Sequence, residues 1–251
     1  MKAWRRPLLI LALLAPFLFL GVRWAAAQSL SLDLGDEPGE GLFTARVLQL
    51  LALLTILSLA PSILIVVTSF TRIVVVLSLL RSAIGIQQTP PNPVLVTLAL
   101  FLTGFVMAPT LETAYQNGIA PLIDQEITEQ EAFEQVSEPF RVFMLRQVRQ
   151  KDLALFLDIA GAPADTVAED VSLRALIPAF MISELRRAFE IGFLLFIPFI
   201  VIDMVVASVL MSMGMMMLPP VIISLPFKLI FFVLMDGWYL IAGSLIESFN
   251  T

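Results

Sequence analysis

One apolar run in this sequence is too long to cross a membrane as a simple straight helix. From Arg46 to Leu80 the chain is almost continuously apolar, and Arg72 lies inside that run. Its 35 residues would form a helix of about 50 Å, whereas the hydrocarbon core of a bilayer is about 30 Å thick. Pro61 can break or kink such a helix, and an arginine in lipid is costly unless it is paired or faces water. The run therefore predicts a bent helical segment in which Arg72 forms a salt bridge or an assembly contact.

The composition excludes most enzyme chemistry. Hydrophobic residues make up 59% of the 251 residues and charged residues only 14%, so a membrane or a large assembly must cover the apolar surface. The sequence has no cysteine and no histidine, which removes thiol nucleophiles, disulfides, and the commonest general base and metal ligand. We therefore expect no enzymatic activity, no metal and no cofactor.

The first 27 residues have the pattern of a signal peptide. A positively charged start is followed by a short apolar segment at 8–22 and by three alanines that end at Ala27. Cleavage would make Gln28 the first residue, and the loss of four basic residues would change the formal net charge from −6 to −10. A chain this acidic is poorly suited to bind nucleic acid. The alternative is an anchor that stays attached. Residues 28–45 are polar and acidic and predict a flexible leader.

The rest of the chain alternates between apolar and acidic segments. We expect two apolar helical hairpins, at 46–109 and at 188–251, on either side of an acidic segment at 110–187. Residues 111–190 contain 14 acidic and 7 basic side chains, a net charge of −7, which predicts a small helical domain that faces water. The expected fold is therefore all-α, with membrane-associated helical hairpins and a small helical insert.

Three short motifs predict where helices start in the acidic segment. Two of them have the form of capping boxes, in which a threonine side chain and a glutamate three residues later satisfy each other's backbone N–H groups. The third places a proline two residues after a serine, which is another common helix start. The motifs are Thr128-x-x-Glu131, Thr166-x-x-Glu169 and Ser137-Glu138-Pro139.

The same turn pattern occurs inside both hairpins. The sequences that begin at Gly85 and at Gly214 both read G-x-x-x-x-P-P, and glycine can end a helix where proline can start the next one. The two turns are either independent or related by an internal repeat, as in many transport proteins. If the mature chain starts outside and crosses the membrane four times, Arg72 and Arg81 lie inside. The acidic segment then lies in the periplasm.

The second turn is rich in methionine. Five of the seven residues from Met211 to Met217 are methionine, and this side chain is flexible enough to pack against changing surfaces. A ring of such side chains from several copies could close on itself and open around a moving polypeptide. The alternative is apolar filler at a helix end. The candidate seal consists of Met213, Gly214, Met215, Met216 and Met217.

Several charged side chains in the C-terminal third require partners. Lys228 and Asp203 lie in apolar surroundings, and we expect them to pair, within one chain or between copies. Such a pair is either an assembly salt bridge or part of a proton path. Asp236 is embedded in the same way. Glu184 and Arg187 are three residues apart, so on a helix they either neutralise each other or form a charged belt between copies.

Ordered motifs occur along nearly the whole mature chain. They include Ser69-Phe-Thr-Arg72, Gln87-Gln-Thr-Pro-Pro-Asn92, Lys151-Asp-Leu-Ala-Leu-Phe156, Pro178-Ala-Phe-Met-Ile-Ser-Glu184, Ala207-Ser-Val-Leu-Met-Ser-Met-Gly-Met-Met-Met217, Leu225-Pro-Phe-Lys228 and Asp236-Gly-Trp238. In sequence and in order these motifs resemble the FliP family, whose members are subunits of the flagellar type III protein-export gate.

The resemblance implies an assembly and a location. Several copies, which the family suggests are five, would form a helical ring or cone with FliQ and FliR, and would work with FlhA and FlhB to export unfolded flagellar polypeptides. The gate would lie in the bacterial inner membrane, at the flagellar basal body, with the acidic segment in the periplasm. The resemblance places the methionine seal at Met215, Met216 and Met217. It also implies assembly contacts at Phe143, Phe156 and Glu184.

Two other functions fit parts of the same sequence. Virulence type III secretion systems use a related subunit with most of the same motifs. A secondary transporter for a small solute or ion would also explain the two hairpins and the embedded charges Asp203 and Lys228.

Overall fold

The computed structural model describes residues 40–86, 88–161, 171–215 and 218–249. Throughout these ranges the regular elements are helices, which confirms the all-α prediction. The expected signal peptide, its cleavage site at Ala27 and Gln28, and leader residues 28–39 lie outside the described residues. So do Gln87, the Thr166-x-x-Glu169 motif, Met216 and Met217.

The elements follow one another along the chain with short connections. A five-residue π-helical segment, Tyr115–Ile119, directly continues the third helix. The helices are α1 (Glu40–Val66), α2 (Phe70–Ile84), α3 (Asn92–Ala114), α4 (Ala120–Ile123), α5 (Glu129–Gln147), α6 (Gln150–Ile159), α7 (Leu173–Ser212), α8 (Pro220–Leu234) and α9 (Gly237–Glu247).

The chain divides into two units, residues 1–55 and 56–251. The described part of the first unit is the beginning of α1, which already starts at Glu40, so the last residues of the expected leader are helical. All the other helices belong to the second unit.

The long first apolar run is interrupted, but not at the expected proline. Helix α1 continues past position 61 to Val66, and the chain leaves the helical path at 67–69 before α2 begins. The Thr68 hydroxyl donates to the Ile65 carbonyl at 3.2 Å and accepts from the Phe70 N–H at 3.4 Å. Threonine side chains that bind the local backbone compete with helical hydrogen bonds, and this explains the position of the break.

Helix α2 lies at the centre of the second unit. Ile73, Val76, Leu77 and Leu80 follow the i, i+3, i+4, i+7 pattern of one helix face, and each is at most 1% exposed. Burial of each such side chain contributes about 1.5–3 kcal/mol relative to exposure. Helix α2 packs most extensively on α7 and also contacts α3 and α8, so it connects the two predicted hairpins.

Both hairpin turns use glycine and proline as predicted. Gly85 ends α2 with a φ of +93°, and Gly214 follows α7 with a φ of +73°; a left-handed backbone of this kind favours glycine. Prolines stand in the first turn of both α3 and α8. These local signals correctly marked where one helix ends and the next begins.

The acidic insert contains one confirmed helix start and one wrong one. Thr128 and Glu131 form the predicted capping box at the start of α5. The signal at Ser137 is wrong, because Pro139 lies inside the same helix. The Ser137 hydroxyl donates to the Glu134 carbonyl at 3.0 Å, so it serves the existing helix and does not cap a new one.

By length and composition, the described residues contain two helices that could cross a membrane. They are Asn92–Ile123 and Leu173–Ser212, and the pair α8 and α9, bent by 63°, could form a third span. Helix α2 is not among them, because the break at 67–69 leaves it only 15 residues long. The four crossings that the sequence analysis considered compare with these two or three within the described residues. Helix α7, with 40 residues, is about 60 Å long, twice the thickness of the hydrocarbon core.

Candidate functional site

The buried guanidinium of Arg72 joins four separate parts of the second unit. Its side chain is fully buried, and it binds both carboxylate oxygens of Glu184 on α7, at 2.8 and 2.5 Å. It also donates to the Gln147 side chain at the end of α5, at 2.9 Å. The Ser248 carbonyl and hydroxyl, just after α9, accept at 2.9 and 3.1 Å. All five N–H donors of the arginine are therefore used.

Aromatic side chains surround this arginine. The guanidinium carbon lies 3.7 Å from the centre of the Phe249 ring, a geometry that adds a cation–π attraction. Phe249 also stacks on Phe143 with 6.2 Å between ring centres, and Phe143 contacts the edge of Phe180 at 5.9 Å. The Gln147 amide donates to the Phe249 carbonyl at 3.1 Å. The C-terminal segment is thus fixed by polar and aromatic contacts together.

The structure corrects the predicted pairing of Glu184. Its carboxylate pairs with Arg72 and not with Arg187, because on α7 it points into the bundle, where Arg72 extends from α2. Its side chain is fully buried, and Phe143 is only 9% exposed. Both residues therefore pack inside the bundle of their own chain, and the assembly contacts that the resemblance implied for them stay a prediction. Phe156, on α6, is half-buried, so part of its ring remains accessible.

A second buried cluster ties α6 to α7, and the sequence analysis missed it. Asp152, near the start of α6, receives two hydrogen bonds from Arg149, at 2.8 and 2.7 Å, and one from Ser183 at 2.6 Å. Burial raises the pKa of Asp152, but the hydrogen bonds from Ser183 and Arg149 outweigh it and leave the pKa below its usual value. The signal in the sequence was the pair Ser183-Glu184, two polar residues side by side within an apolar helix.

The structure places Lys228 beside Asp203, within one chain. The Lys228 ammonium lies 2.6 Å from one Asp203 oxygen, and the Ser224 hydroxyl donates to the other at 2.5 Å. The ammonium also donates to the carbonyl of Ala83, in the last turn of α2, at 3.4 Å. Lys228 is almost fully buried, whereas the Asp203 side chain is 32% exposed. The pair therefore joins α2, α7 and α8.

The Asp203 pair borders a cleft of about 490 Å³. Its polar lining comes from Asp203, Lys228 and Ser82, and Gly85 places the end of α2 at its edge. A cleft with one carboxylate and one ammonium that already neutralise each other can admit a small polar molecule or water. It has no strong excess of either charge with which to select an ion.

The methionine turn is exposed where it can be described. Met213 is 66% exposed and Met215 is 41% exposed, with Gly214 between them. The Met215 N–H donates to the Leu210 carbonyl at 3.0 Å, and the Gly214 N–H donates to the Met211 carbonyl at 3.1 Å, so backbone hydrogen bonds shape the start of the turn. The side chains themselves project away from the core of their own chain.

The other embedded charge, Asp236, stands at the bend between α8 and α9. Its backbone is left-handed, with a φ of +49°, and its carbonyl accepts from the Leu240 N–H at 3.1 Å. The side chain is exposed. The described ranges contain no group of three or more acidic, histidine or cysteine side chains that could hold a metal ion.

Comparison with known proteins gives consistent matches over most of the chain. A family model described as the FliP family matches residues 53–245. The chain is 65% identical over 227 residues to a flagellar biosynthetic protein FliP of Caulobacter vibrioides, covering 90% of this chain and 84% of that relative. A protein of the same name from Rhizobium meliloti is 54% identical, with 90% and 93% covered. Another, from Aquifex aeolicus, is 50% identical, with 98% and 100% covered.

Proposed function

The chain belongs to the FliP family of flagellar biosynthetic proteins, and we propose that it is a core subunit of the flagellar export gate. It is a membrane-associated component of the flagellar export apparatus. In the proposed assembly, several copies form a ring with FliQ and FliR and line the channel through which unfolded flagellar proteins leave the cell. The observation that carries this proposal is the high identity to flagellar relatives along almost the entire chain.

The exposed apolar surface supports an assembly of many chains. Helix α7 is about twice as long as the hydrocarbon core is thick, yet large apolar side chains along it remain exposed, among them Phe193, Leu194 and Met204. An apolar groove of about 410 Å³ lies between α7 and the bent pair α8–α9. Lipid alone cannot cover a helix of this length, so helices of neighbouring subunits are the natural cover.

The methionine turn supplies the proposed seal. Met213 and Met215 are exposed at the end of a long helical hairpin, so in a ring the turns of neighbouring copies could meet at the channel axis. Together with Met216 and Met217 they would form a deformable closure, because unbranched thioether side chains adapt to irregular surfaces. Gly214, with its left-handed backbone, gives the turn its shape.

We assign the remaining partners and the location from the family. FlhA and FlhB would act beside the gate, and exported polypeptides would pass through it. The ring, a pentamer by family resemblance, would sit in the inner membrane at the flagellar basal body. The acidic segment at 110–187 would face the periplasm, which suits its net negative charge and its capped helices.

The first test is assembly. The full chain is tagged at its C-terminus and extracted in mild detergent, and the molecular mass of the complex is measured with and without co-expressed FliQ and FliR. A ring-sized species that grows with these partners supports the gate. A monomer or dimer that ignores both contradicts it. Restoration of motility in a bacterium that lacks its own family member distinguishes a flagellar subunit from a virulence-system subunit.

The second test addresses the seal. Replacement of Met213 and Met215 by alanine should leave the assembly intact and make cells permeable to small ions, because the smaller side chains cannot close the channel. Met235→Ala is the matched control, since Met235 is 52% exposed but lies at the bend between α8 and α9. Equal permeability of the two variants would show that the turn is not the seal.

The cleft beside Asp203 favours one further candidate, a transporter for a small polar solute. Its volume of about 490 Å³ and its paired charges would accommodate such a molecule. Vesicles reconstituted with the purified chain alone decide between the two functions. Solute uptake that is lost in Asp203→Asn would favour the transporter, and vesicles without uptake would favour the gate.

A further inference from the structure

We propose that Arg72 and Glu184 act as an internal latch that fixes the C-terminal segment Ser248–Phe249, and with it α9, against α2, α5 and α7. The inference goes beyond the proposed export function, because it assigns to these two residues a positioning role inside each subunit. It does not rest on the assembly role that family resemblance implied for Glu184.

The first argument is the distribution of the arginine's donors. Two of its five N–H groups bind Glu184, and these balance the charge. The other three bind Gln147 and the two oxygens of Ser248. A guanidinium that needed only a counterion would not have to reach the C-terminal segment. The planar fork of arginine is what allows one side chain to hold α7, α5 and the C-terminal segment at the same time.

The second argument is the position of Phe249. The residue is 8% exposed, and its ring lies under the guanidinium at 3.7 Å and stacks on Phe143. Its carbonyl accepts from Gln147, which itself binds Arg72. Hydrogen bonds and aromatic contacts therefore hold the segment that follows α9, and both belong to one connected network with Arg72 at its centre.

The third argument is where the latch sits in the hairpin that carries the methionine turn. Glu184 lies on one arm, α7, and Ser248 ends the other arm, α8–α9. Met213 lies 29 residues after Glu184, which corresponds to about 44 Å of helix. One guanidinium thus joins both arms at the end remote from the turn, where a small slide of one arm along the other would displace the turn by a similar distance.

Cysteine labelling can test the latch, because the natural chain has no cysteine. The parent for all comparisons is the full chain with Leu245→Cys, in detergent. Leu245, on α9, is 1% exposed, so a thiol there reacts only when α9 and the C-terminal segment come away from the bundle. Glu247→Cys, at an exposed position on the same helix, is the control that should always react rapidly.

Three variants separate a latch from a simple buried ion pair. Arg72→Met leaves the Glu184 carboxylate buried without its partner, and labelling at position 245 should become about a hundredfold faster or more. The double variant Arg72→Met/Glu184→Met removes both charges, so stability should recover while labelling stays about tenfold faster than in the parent, because the bonds to Ser248 and Gln147 are still missing. Arg72→Lys keeps the charge but not the fork, and it should also label about tenfold faster.

Two results would overturn the latch. If the double variant or Arg72→Lys protects position 245 as well as the parent does, Arg72 serves only to balance charge. The single variant Glu184→Met, made in the same parent, supplies the second comparison. If Glu184→Met is equally damaging with and without Arg72→Met, Glu184 acts on something other than Arg72, such as a neighbouring copy. Accelerated labelling in Arg72→Lys and in the double variant, with recovered stability in the latter, supports the proposal.

Discussion

Substitution of Asp203 should destabilise the protein more than substitution of its partner Lys228. The reason is the difference in their surroundings. Lys228 is 4% exposed, and without Asp203 its ammonium would keep, among the described residues, only the Ala83 carbonyl at 3.4 Å. Asp203, without Lys228, would keep the Ser224 hydroxyl at 2.5 Å, and its side chain is 32% exposed to solvent. Substitution of Asp203 therefore leaves the buried Lys228 ammonium almost unpaired. Substitution of Lys228 leaves the Asp203 carboxylate, which water can reach.

The magnitudes follow from these contacts. Breaking a buried pair costs about 3–5 kcal/mol, and Asp203→Asn should be near the lower end, at about 3 kcal/mol, because the amide oxygen still faces the ammonium. Lys228→Met should cost about 1 kcal/mol, the value of a lost hydrogen bond at a partly exposed site. For a domain of this size, these costs correspond to falls in Tm of about 6–12 °C and about 2–4 °C.

Thermal unfolding in detergent measures both variants, together with the double variant and a surface control. Glu190→Gln breaks the ion pair with Arg186, whose side chains are both more than half exposed, and it should not shift the Tm measurably. The double variant should be more stable than Asp203→Asn alone, because no charge is left buried. A larger loss in Lys228→Met than in Asp203→Asn, or losses that simply add, would refute the reasoning.

Three further predictions rest on other contacts. Gly118→Ala should lower the free energy of unfolding by about 1–2 kcal/mol, since a Cβ there would lie 2.5 Å from a side-chain atom of α5 and 3.0 Å from its backbone. Gly104→Ala is the control: a Cβ there would have no such neighbour within 4 Å, so this variant should be neutral or stabilising by up to about 1 kcal/mol. Asp152, whose pKa is lowered in the folded state, stabilises the protein above its unfolded pKa of about 3.9 and loses this effect as the pH falls through the lower folded value. Denaturant titrations between pH 3 and 7 should therefore show a weaker loss of stability on acidification in Asp152→Asn, and an unchanged pH dependence would contradict the assignment. Thr128→Ala removes the capping hydroxyl of α5 and should cost about 1 kcal/mol in the same titrations, whereas an unaltered midpoint would show that the capping box does not stabilise the helix.

The local signals at the two turns and at Thr128 were read correctly, because short-range chemistry creates them, whereas the start signal at Ser137 was wrong. Gly85 and Gly214 adopt the left-handed backbone that ends a helix, and the capping box at Thr128 forms among residues three apart. Where two local signals competed, the reading failed. Pro61 looked like the break in the first apolar run, but the chain breaks at 67–69, where Thr68 binds its neighbouring backbone.

Partners distant in sequence could not be read in this way. The sequence alone showed that Arg72 needs a partner, but Glu184 lies 112 residues away and Ser248 lies 176 residues away. Nothing in the spacing of Glu184 and Arg187 indicated that the Glu184 carboxylate turns inward and forms its salt bridge with Arg72. For the same reason Asp152 and Ser183, which come from different helices, were missed as a pair.

By itself, the sequence determined an all-helical, membrane-associated chain with two glycine–proline turns, a methionine cluster and several charges that must be neutralised. Its apolar content and its local capping and turn signals are properties of neighbouring residues, and they do not depend on how helices pack. Only the tertiary structure decided which charges meet, and that Phe143 and Glu184 are buried within the bundle of their own chain. Such contacts depend on which helix faces come together, and that is set by the close packing of α2 against α7.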